Sequence, residues 1–459
     1  MLPCVVVAHN LRPQTRAPRH VQPGCQRLRF GKHHNPARRS MRVAVIGAGA
    51  AGLAAVKALL DAGCEVVAYE RRDRPGGLWT ETYASLHLNT SRGRTEFADF
   101  PMPADWPDYP SAERVAGYLA TYADRFRLTD HIRYGETVTA VERGQRWTVT
   151  TDRGGAGEFD AVVVANGHNW APRLPDPGYP GTFDGIQMHA HDYRTADVFQ
   201  GRRVLVVGMG NSAMDIAVDA SHTASGPVLL SARHGVHIVP KYLFGRPSDA
   251  TGGALSVLPW RVRQRVAETM LRLAVGTPQR YGLPAPAGGL FQNHPTISDT
   301  ILHRLTHGEV AARPGIERLD GTKVVFTDGT CDDVDVIVWA TGYRVQIPFL
   351  PSKWLGEGPE RLPLYRRVFH LDDPTLAFVG LMQSTGSAFP VVEVQAKLAA
   401  AYLSGSYALP PAADQRRAVD RDLRAAITRW GAHGRPHMRI DFDRYVTAMT
   451  REIARGASS

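Results

Sequence analysis

Arg42-Val-Ala-Val-Ile-Gly47-Ala-Gly49-Ala-Ala-Gly52 is a short apolar run that stops at a glycine turn. Leu53, Val56, Leu59 and Leu60 then recur at helical spacing until Gly63, a natural helix stop. Glu65-Val-Val-Ala-Tyr-Glu70 reads as the next strand. Strand, G-x-G-x-x-G, helix and strand in that order predict a βαβ unit whose turn binds a dinucleotide. In such a turn Gly47 permits the tight bend, Gly49 lets a pyrophosphate reach the backbone, and Gly52 lets helix and strand pack closely. The helix start, with Ala48, Ala50 and Ala51 around it, offers unpaired N–H groups and a partial positive charge to phosphates. Glu70, 23 residues past Gly47, is placed to accept from ribose hydroxyls.

The pattern returns at Arg203-Val-Leu-Val-Val207, Gly208-Met-Gly210-Asn-Ser-Ala213, a helix through Ala220, and a strand Val228-Leu-Leu-Ser-Ala-Arg233. A second pair of matches marks an internal duplication. Asp160-Ala-Val-Val-Val-Ala-Asn-Gly167 closes the first unit and Asp335-Val-Ile-Val-Trp-Ala-Thr-Gly342 the second. The expected fold is α/β, with two dinucleotide-binding, Rossmann-like domains, the second inserted in the first. The outer domain is expected to comprise 41–172 and 343–459, and the inner one 173–342. Proline-rich joins at Ala171–Pro177 and Ile347–Pro351 mark the borders. Residues 256–310 read as helices with a Gly/Pro-rich loop, and 413–429 and 440–455 as terminal helices.

The two units differ at one informative place. Counting 23 residues from Gly208 lands on Ser231, with Arg233 two positions on. A carboxylate there would repel a 2′-phosphate, whereas Ser231 and Arg233 can bind one. The second dinucleotide is therefore expected to be NADPH, held by Gly208, Gly210, Asn211, Ser212, Ala213, Met214, Asp215, Ser231 and Arg233. The first lacks that phosphate, and FAD fits, because a nicotinamide and a flavin in one chain imply electron transfer between them. A disulfide reductase would need a paired cysteine motif beside the flavin, and Cys4, Cys25, Cys64 and Cys331 lie far apart. Oxygen, a quinone or another small acceptor remains.

Composition narrows the class further. The net charge of +10 lies mostly in residues 1–40, which hold seven Arg, one Lys and no acid. The rest is nearly balanced and lacks the footprint of a nucleic-acid binder. That leader is expected to be a disordered basic tail, or translated upstream sequence with the true start at Met41. No uncharged apolar run reaches the roughly 18–20 residues of a membrane span. Cysteine spacing shows neither metal-ligand nor disulfide patterns, and a cytoplasmic protein is the simplest expectation.

Gly76-Gly-Leu-Trp79, Leu88-Asn-Thr-Ser-Arg92 and Phe97-Ala-Asp-Phe-Pro-Met-Pro103 follow the first unit. Phe183-Asp-Gly-Ile-Gln-Met-His189-Ala-His-Asp-Tyr193 fits an F-x-G-x-x-x-H-x-x-x-Y pattern. With His294–Asp299, Ala340–Tyr343, Gly386–Pro390, Glu393 and Gln395, these stretches resemble the flavin-containing monooxygenases, within the class B flavoprotein monooxygenases. The resemblance spans nearly all of 41–405. It implies that NADPH reduces FAD, that O₂ adds at the flavin 4a position, and that the shielded hydroperoxide oxygenates a nitrogen or sulfur centre of a small molecule. It also implies flavin contacts at Gly77, Leu78, Trp79, Asn89, Thr90 and Val138, and matches Asn89 to the family's active-site Asn. Asn89 as a turn residue before Thr90-Ser91 is the plainer alternative.

Three other functions stay open: Baeyer–Villiger ketone oxygenation, decarboxylating oxygenation, and a non-catalytic FAD-binding redox module. The usual Baeyer–Villiger fingerprint ends in Trp, where this chain has Tyr193. His189 and His191 are expected to hold a linker by hydrogen bonds rather than to catalyse. Asp105–Pro110 reads as a surface loop. The substrate pocket is expected from the 240–300 region and the C-terminal third; homodimers are common among relatives.

Overall fold

The computed structural model describes residues 40–250, 259–292, 294–432 and 435–456. The expectations for the leader, Ser40 apart, lie outside the described residues. Arg42–Ile46 is buried from Val43 onward and occupies the interior of a seven-stranded sheet. Its parallel neighbours are Glu65–Glu70 on one side and Ala161–Val164 on the other. Ile132–Tyr134 lies beyond the former; Leu376–Phe378, Phe369–His370 and Leu364–Tyr365 lie beyond the latter. A strand buried on both faces reads as an unbroken apolar run, which is why these segments lack alternation.

Residues 364–378 complete a sheet begun at residue 42, so the chain leaves the first unit and returns. In between, Ile186–His189, Val336–Trp339, Val204–Val207, Val228–Ser231 and Val310–Arg313 build a second, five-stranded, wholly parallel sheet. The two connecting stretches pair with each other: Ala171 and Pro172 lie antiparallel to Arg344 and Tyr343.

The duplication repeats at the level of single hydrogen bonds. Asp160 accepts from the Arg42 N–H at 2.8 Å, and Asp335 accepts from the Arg203 N–H at 2.8 Å. At the far end of each strand Ala165 donates to Ile46 O and Ala340 to Val207 O, both at 2.9 Å. Those alanines bring their carbonyls against the turn glycines. A Cβ on Gly47 (φ +107°) would lie 2.6 Å from Ala165 O, and one on Gly208 (φ +131°) 2.4 Å from Ala340 O. The Ala-x-Gly ends thus explain why both turns begin with glycine.

The first-unit helix, Ala50–Asp61, packs on Phe389–Leu403, a helix buried along most of its length. Alanines on both let the two axes approach. Among the described residues of the 256–310 stretch, Trp260–Val275 and Thr300–Thr306 are α-helices, and the terminal helices run Ala412–Trp430 and Phe442–Gly456.

Candidate functional site

The first turn is open where a nucleotide needs it to be. Gly49 caps the helix with no side-chain hydrogen bond, and the first turn holds no acid, so its N–H groups remain available to an anion. A Cβ on Gly49 would meet nothing closer than Gly77 Cα at 3.6 Å, whereas one on Gly52 would strike Gly47 O at 1.8 Å. Gly52 therefore serves packing, and Gly49 keeps space free outside the protein. Gly76 donates to Ala48 O at 3.0 Å, and a Cβ on Gly77 would lie 2.9 Å from Gly49 Cα, so the second glycine pair braces the first.

Glu70 is 4% exposed, and its carboxylate accepts from Ala48 N at 2.7 Å and Arg72 N at 3.0 Å. The acid stands at the strand end expected for ribose binding, and each oxygen retains a further acceptor site. Val138 packs with Val141 and Trp147 in the core, two residues beyond Glu136, whose N–H bonds to Glu70 O. Leu78 is 37% exposed, while Ala48 is fully buried.

In the second turn Gly210 likewise caps Asn211–Ala220 without a side-chain bond, and a Cβ there would meet nothing within 4 Å. Ala213 and Met214 are fully buried, leaving only their backbone for a ligand. Ser231 is a correction. It is 1% exposed and donates its hydroxyl to Pro314 O at 2.6 Å, so its proton is spent inside the protein. Arg233, by contrast, is exposed and has no ion-pair or hydrogen-bond partner among the described residues, so its guanidinium is open to an anion. These two turns fit FAD and NADPH respectively: open helix starts, room beyond the second glycine, an acid in one and a free guanidinium in the other.

Asp215 also serves the fold. It accepts from Tyr83 OH at 2.8 Å, and burial raises its pKa to about 6. One turn on, Asp219 accepts from Tyr193 OH at 2.8 Å and from the Ser85 hydroxyl. Ser212 lies beside Tyr83. The helix of the second unit thus grips segment 83–85 of the first. The same bonds explain the end of the fingerprint: Tyr193 is an anchor. His189 spends both ring nitrogens, Nε2 on Gly342 O at 3.0 Å and Nδ1 on the His191 N–H at 3.0 Å, and burial lowers its pKa. The linker reading of this histidine agrees with that geometry.

A cavity of about 370 Å³ brings the remaining groups together. Trp79, Asn89 and Thr90 border it from the first unit, and Asn211 from the second turn. Trp79 meets Phe389 edge-on at 6.3 Å, and Thr90 shares a 2.9 Å hydroxyl bond with Thr95. The Asn89 side chain has no hydrogen-bond partner among the described residues. Asn211 uses its carbonyl on Ile297 N at 2.8 Å, and Thr296 donates to Met209 O at 2.5 Å, so the 294–299 segment hangs on the second turn.

Several lining residues escaped the sequence reading. Asp249 accepts from Ser91 N at 2.6 Å and Ser91 Oγ at 2.9 Å, fixing the loop two residues after Asn89. Lys241, Arg263 and Arg439 also line the cavity. The Asp105–Pro110 stretch is no mere surface loop: Tyr109 is buried, lines the cavity and donates to Lys241 O at 2.5 Å. Among the described residues no cluster suited to a metal ion occurs, and no helix is long and apolar enough to cross a membrane.

Residues 40–457 match the flavin-binding monooxygenase-like family. The mouse protein "dimethylaniline monooxygenase [N-oxide-forming] 2" is 36% identical over 400 residues, covering 80% of this chain and 74% of its own. The solved S-allyl-L-cysteine S-oxygenase from Allium sativum superposes with a TM-score of 0.67 at 27% identity, over 91% of this chain and 89% of that one. Cyclohexanone monooxygenase in its open form shares the fold, with a TM-score of 0.70 at 20% identity over 92% and 99%.

Proposed function

The chain belongs to the flavin-binding monooxygenase-like family, and on that premise we propose which residues carry its chemistry. It is an FAD-dependent monooxygenase that uses NADPH and O₂ to oxygenate a nitrogen or sulfur centre of a small molecule. Bound FAD supplies two-electron uptake from NADPH and activation of O₂. Residues 41–172 with 343–459 form the FAD domain, and 173–342 the NADPH domain; the pairing of 171–172 with 343–344 supports those borders.

Gly47–Gly52 and Glu70 hold the FAD pyrophosphate and ribose, with Gly77, Leu78, Trp79, Thr90 and Val138 around the rest of that cofactor. Gly208–Ala213 holds the NADPH pyrophosphate, and Arg233 its 2′-phosphate. Asn89 is the catalytic residue: its free amide N–H₂ donates into the cavity, where a neutral donor stabilises developing negative charge without competing for protons. Asp249 holds the Ser91 backbone and so orients that donor. The apolar wall keeps water away from the reacting atoms.

One observation carries the reading: a single cavity is bordered by Asn89 and Trp79 from one unit and by Asn211 at the turn of the other. The test is an aerobic panel of tertiary amines, thioethers and ketones with the yellow holoprotein and NADPH, scored by oxygen uptake and product mass. N-oxides or sulfoxides are expected. Esters or lactones from the ketones alone would move the chain to Baeyer–Villiger chemistry, and no product at all would favour a redox module. A cytoplasmic location and a homodimer complete the proposal, checked by fractionation and light scattering.

A further inference from the structure

The cavity wall carries a buried guanidinium that no neighbouring carboxylate balances. Arg439 lies on the short strand Arg439–Ile440, which pairs with Gln383–Ser384. Its guanidinium donates to Gln292 O at 2.7 Å and Phe291 O at 2.9 Å and lies over the Trp430 ring at 5.4 Å. The residue is 5% exposed and has no carboxylate in ion-pair range among the described residues. Burial lowers its pKa to about 10, with no acid opposing that shift. Carbonyl oxygens satisfy two of its donors, but they leave the charge itself uncompensated.

Neighbouring groups do not repair this. Arg263 Nη1 is 3.5 Å from Asp441 Oδ2, and its guanidinium sits 5.9 Å from the Phe291 ring centre. Arg429 claims that same Asp441 oxygen at 3.2 Å. Two guanidinium groups thus share one carboxylate, and the third has none. His294, also on the cavity wall, has its pKa lowered and adds no anion. The segments outside the described residues contain no Asp or Glu, so none of their side chains supplies the missing partner.

The lining cations are Lys241, Arg263 and Arg439 and the lining acid is Asp249; Asp441 behind Arg263, and Asp215 and Asp299 near Lys241, offset two of those cations and leave Arg439 as the uncompensated one. One Asp249 oxygen is taken by Ser91; the other is buried without a hydrogen-bond partner. The wall also includes the apolar Leu88, Val239, Met270, Leu271 and Leu290. An occupant that suits this lining carries an anion for the arginines, an apolar body, and a reactive atom that reaches Asn89.

We propose that the cavity takes a carboxylate-bearing substrate, its anion received by Arg439 and Arg263 and its soft sulfur or nitrogen turned toward Asn89 and Trp79. This rests on the nitrogen- or sulfur-oxygenation reading and adds the substrate class. A planar guanidinium and a carboxylate make charge-assisted, directional bonds, and the low-dielectric wall strengthens them.

The test compares 3-(methylthio)propanoate with its methyl ester, which differ chiefly in the charge. Binding to the oxidised holoprotein is followed by the change in flavin absorbance, without NADPH, for the wild type, Arg439→Gln and Arg439→Lys. The wild type is expected to bind the anion more tightly than the ester. Arg439→Gln should lower the anion-to-ester affinity ratio by about ten- to a hundred-fold, the worth of one charged hydrogen-bonded contact, and Arg439→Lys by less. Equal or better binding of the ester by the wild type would overturn the proposal, as would an unchanged ratio in Arg439→Gln. A rise in the NADPH Michaelis constant with that ratio unchanged would assign Arg439 to the coenzyme and also overturn it. If Arg439→Gln fails to keep its flavin, the wild-type comparison decides. Product mass with NADPH present is scored separately: selective anion binding without a sulfoxide would count against the oxygenation reading and leave the anion site standing.

Discussion

Placed side by side, the two nucleotide units share a backbone and differ in what their helices carry. Each has an acid clamping the first strand, an Ala-x-Gly carbonyl pressed on the first turn glycine, and an uncapped helix start. The first helix presents Ala54 and Ala58 where the second presents Asp215 and Asp219. Small residues let the first helix settle on Phe389–Leu403, while the two acids tie the second to Tyr83, Ser85 and Tyr193. Turn geometry is therefore a backbone property held in common. Contact between the units depends on a few side chains of the second helix, and the proposed coenzyme choice on one at a strand end.

The sharpest test lies where the units meet. Asn89→Asp should leave flavin reduction by NADPH largely intact and cut oxygen transfer by ~10²–10³, the cost of losing one donor in a sequestered site. The measurement is hydrogen peroxide released per NADPH consumed with a good substrate present. Full coupling at wild-type turnover would reduce Asn89 to a turn residue.

The matched pair Gly49→Val and Gly210→Val asks whether the two turns serve different cofactors. Both positions have room for a Cβ within the protein, so both variants should fold. Crowding the pyrophosphate should cost about 1–3 kcal/mol, roughly ten- to a hundred-fold in affinity. Gly49→Val is expected to purify with little flavin, and Gly210→Val to be yellow but poorly reduced by NADPH. The reverse pattern would exchange the assignments.

Arg233→Ala probes the strand-end difference alone. Losing a charge-assisted contact worth about 1.5–3 kcal/mol should raise the NADPH Michaelis constant roughly ten- to a hundred-fold. NADH kinetics should change far less. Equal losses with both coenzymes would show that Arg233 does not read the phosphate.

Asp215 gives the smallest effect and a sign. Its folded-state pKa of about 6 lies above that of an unfolded aspartate, so the folded protein holds the proton between about pH 4 and 6. Acid should therefore stabilise the wild type relative to Asp215→Asn. That advantage, on the order of 1 kcal/mol for a half-buried group, should fade as pH rises to about 6 and stay flat above it. Parallel melting curves across the window would mean the carboxyl is not perturbed.

What the sequence revealed was local. A positive φ at Gly47 and Gly208 is a demand that only a few residues meet, so the turns stand out in a single chain, and Glu70 and Arg233 follow by counting. Ser231 looked equally available, but its partner Pro314 is 83 residues away, and nothing near position 231 signals that bond. Tyr109 sits in a stretch rich in Asp and Pro that reads as solvated, and the backbone of Lys241 draws it inward. Arg263 belongs to an ordinary amphipathic helix and Arg439 to a two-residue strand. Their meeting at Phe291 depends on tertiary packing, which no periodicity encodes.

The return of the chain to its first sheet has a consequence for biosynthesis. When Trp339 leaves the ribosome, all five strands of the inner sheet are present, whereas the outer sheet still lacks the three strands between Leu364 and Phe378. Until they arrive, Ala161–Val164 is an unpaired edge, the kind of surface that recruits foreign strands. The helix Phe389–Leu403, which covers Ala50–Asp61, emerges later still. Vectorial synthesis thus completes the inner unit first and leaves the outer unit exposed longest, so a nascent chain stalled between residues 340 and 400 would be the species most in need of a chaperone.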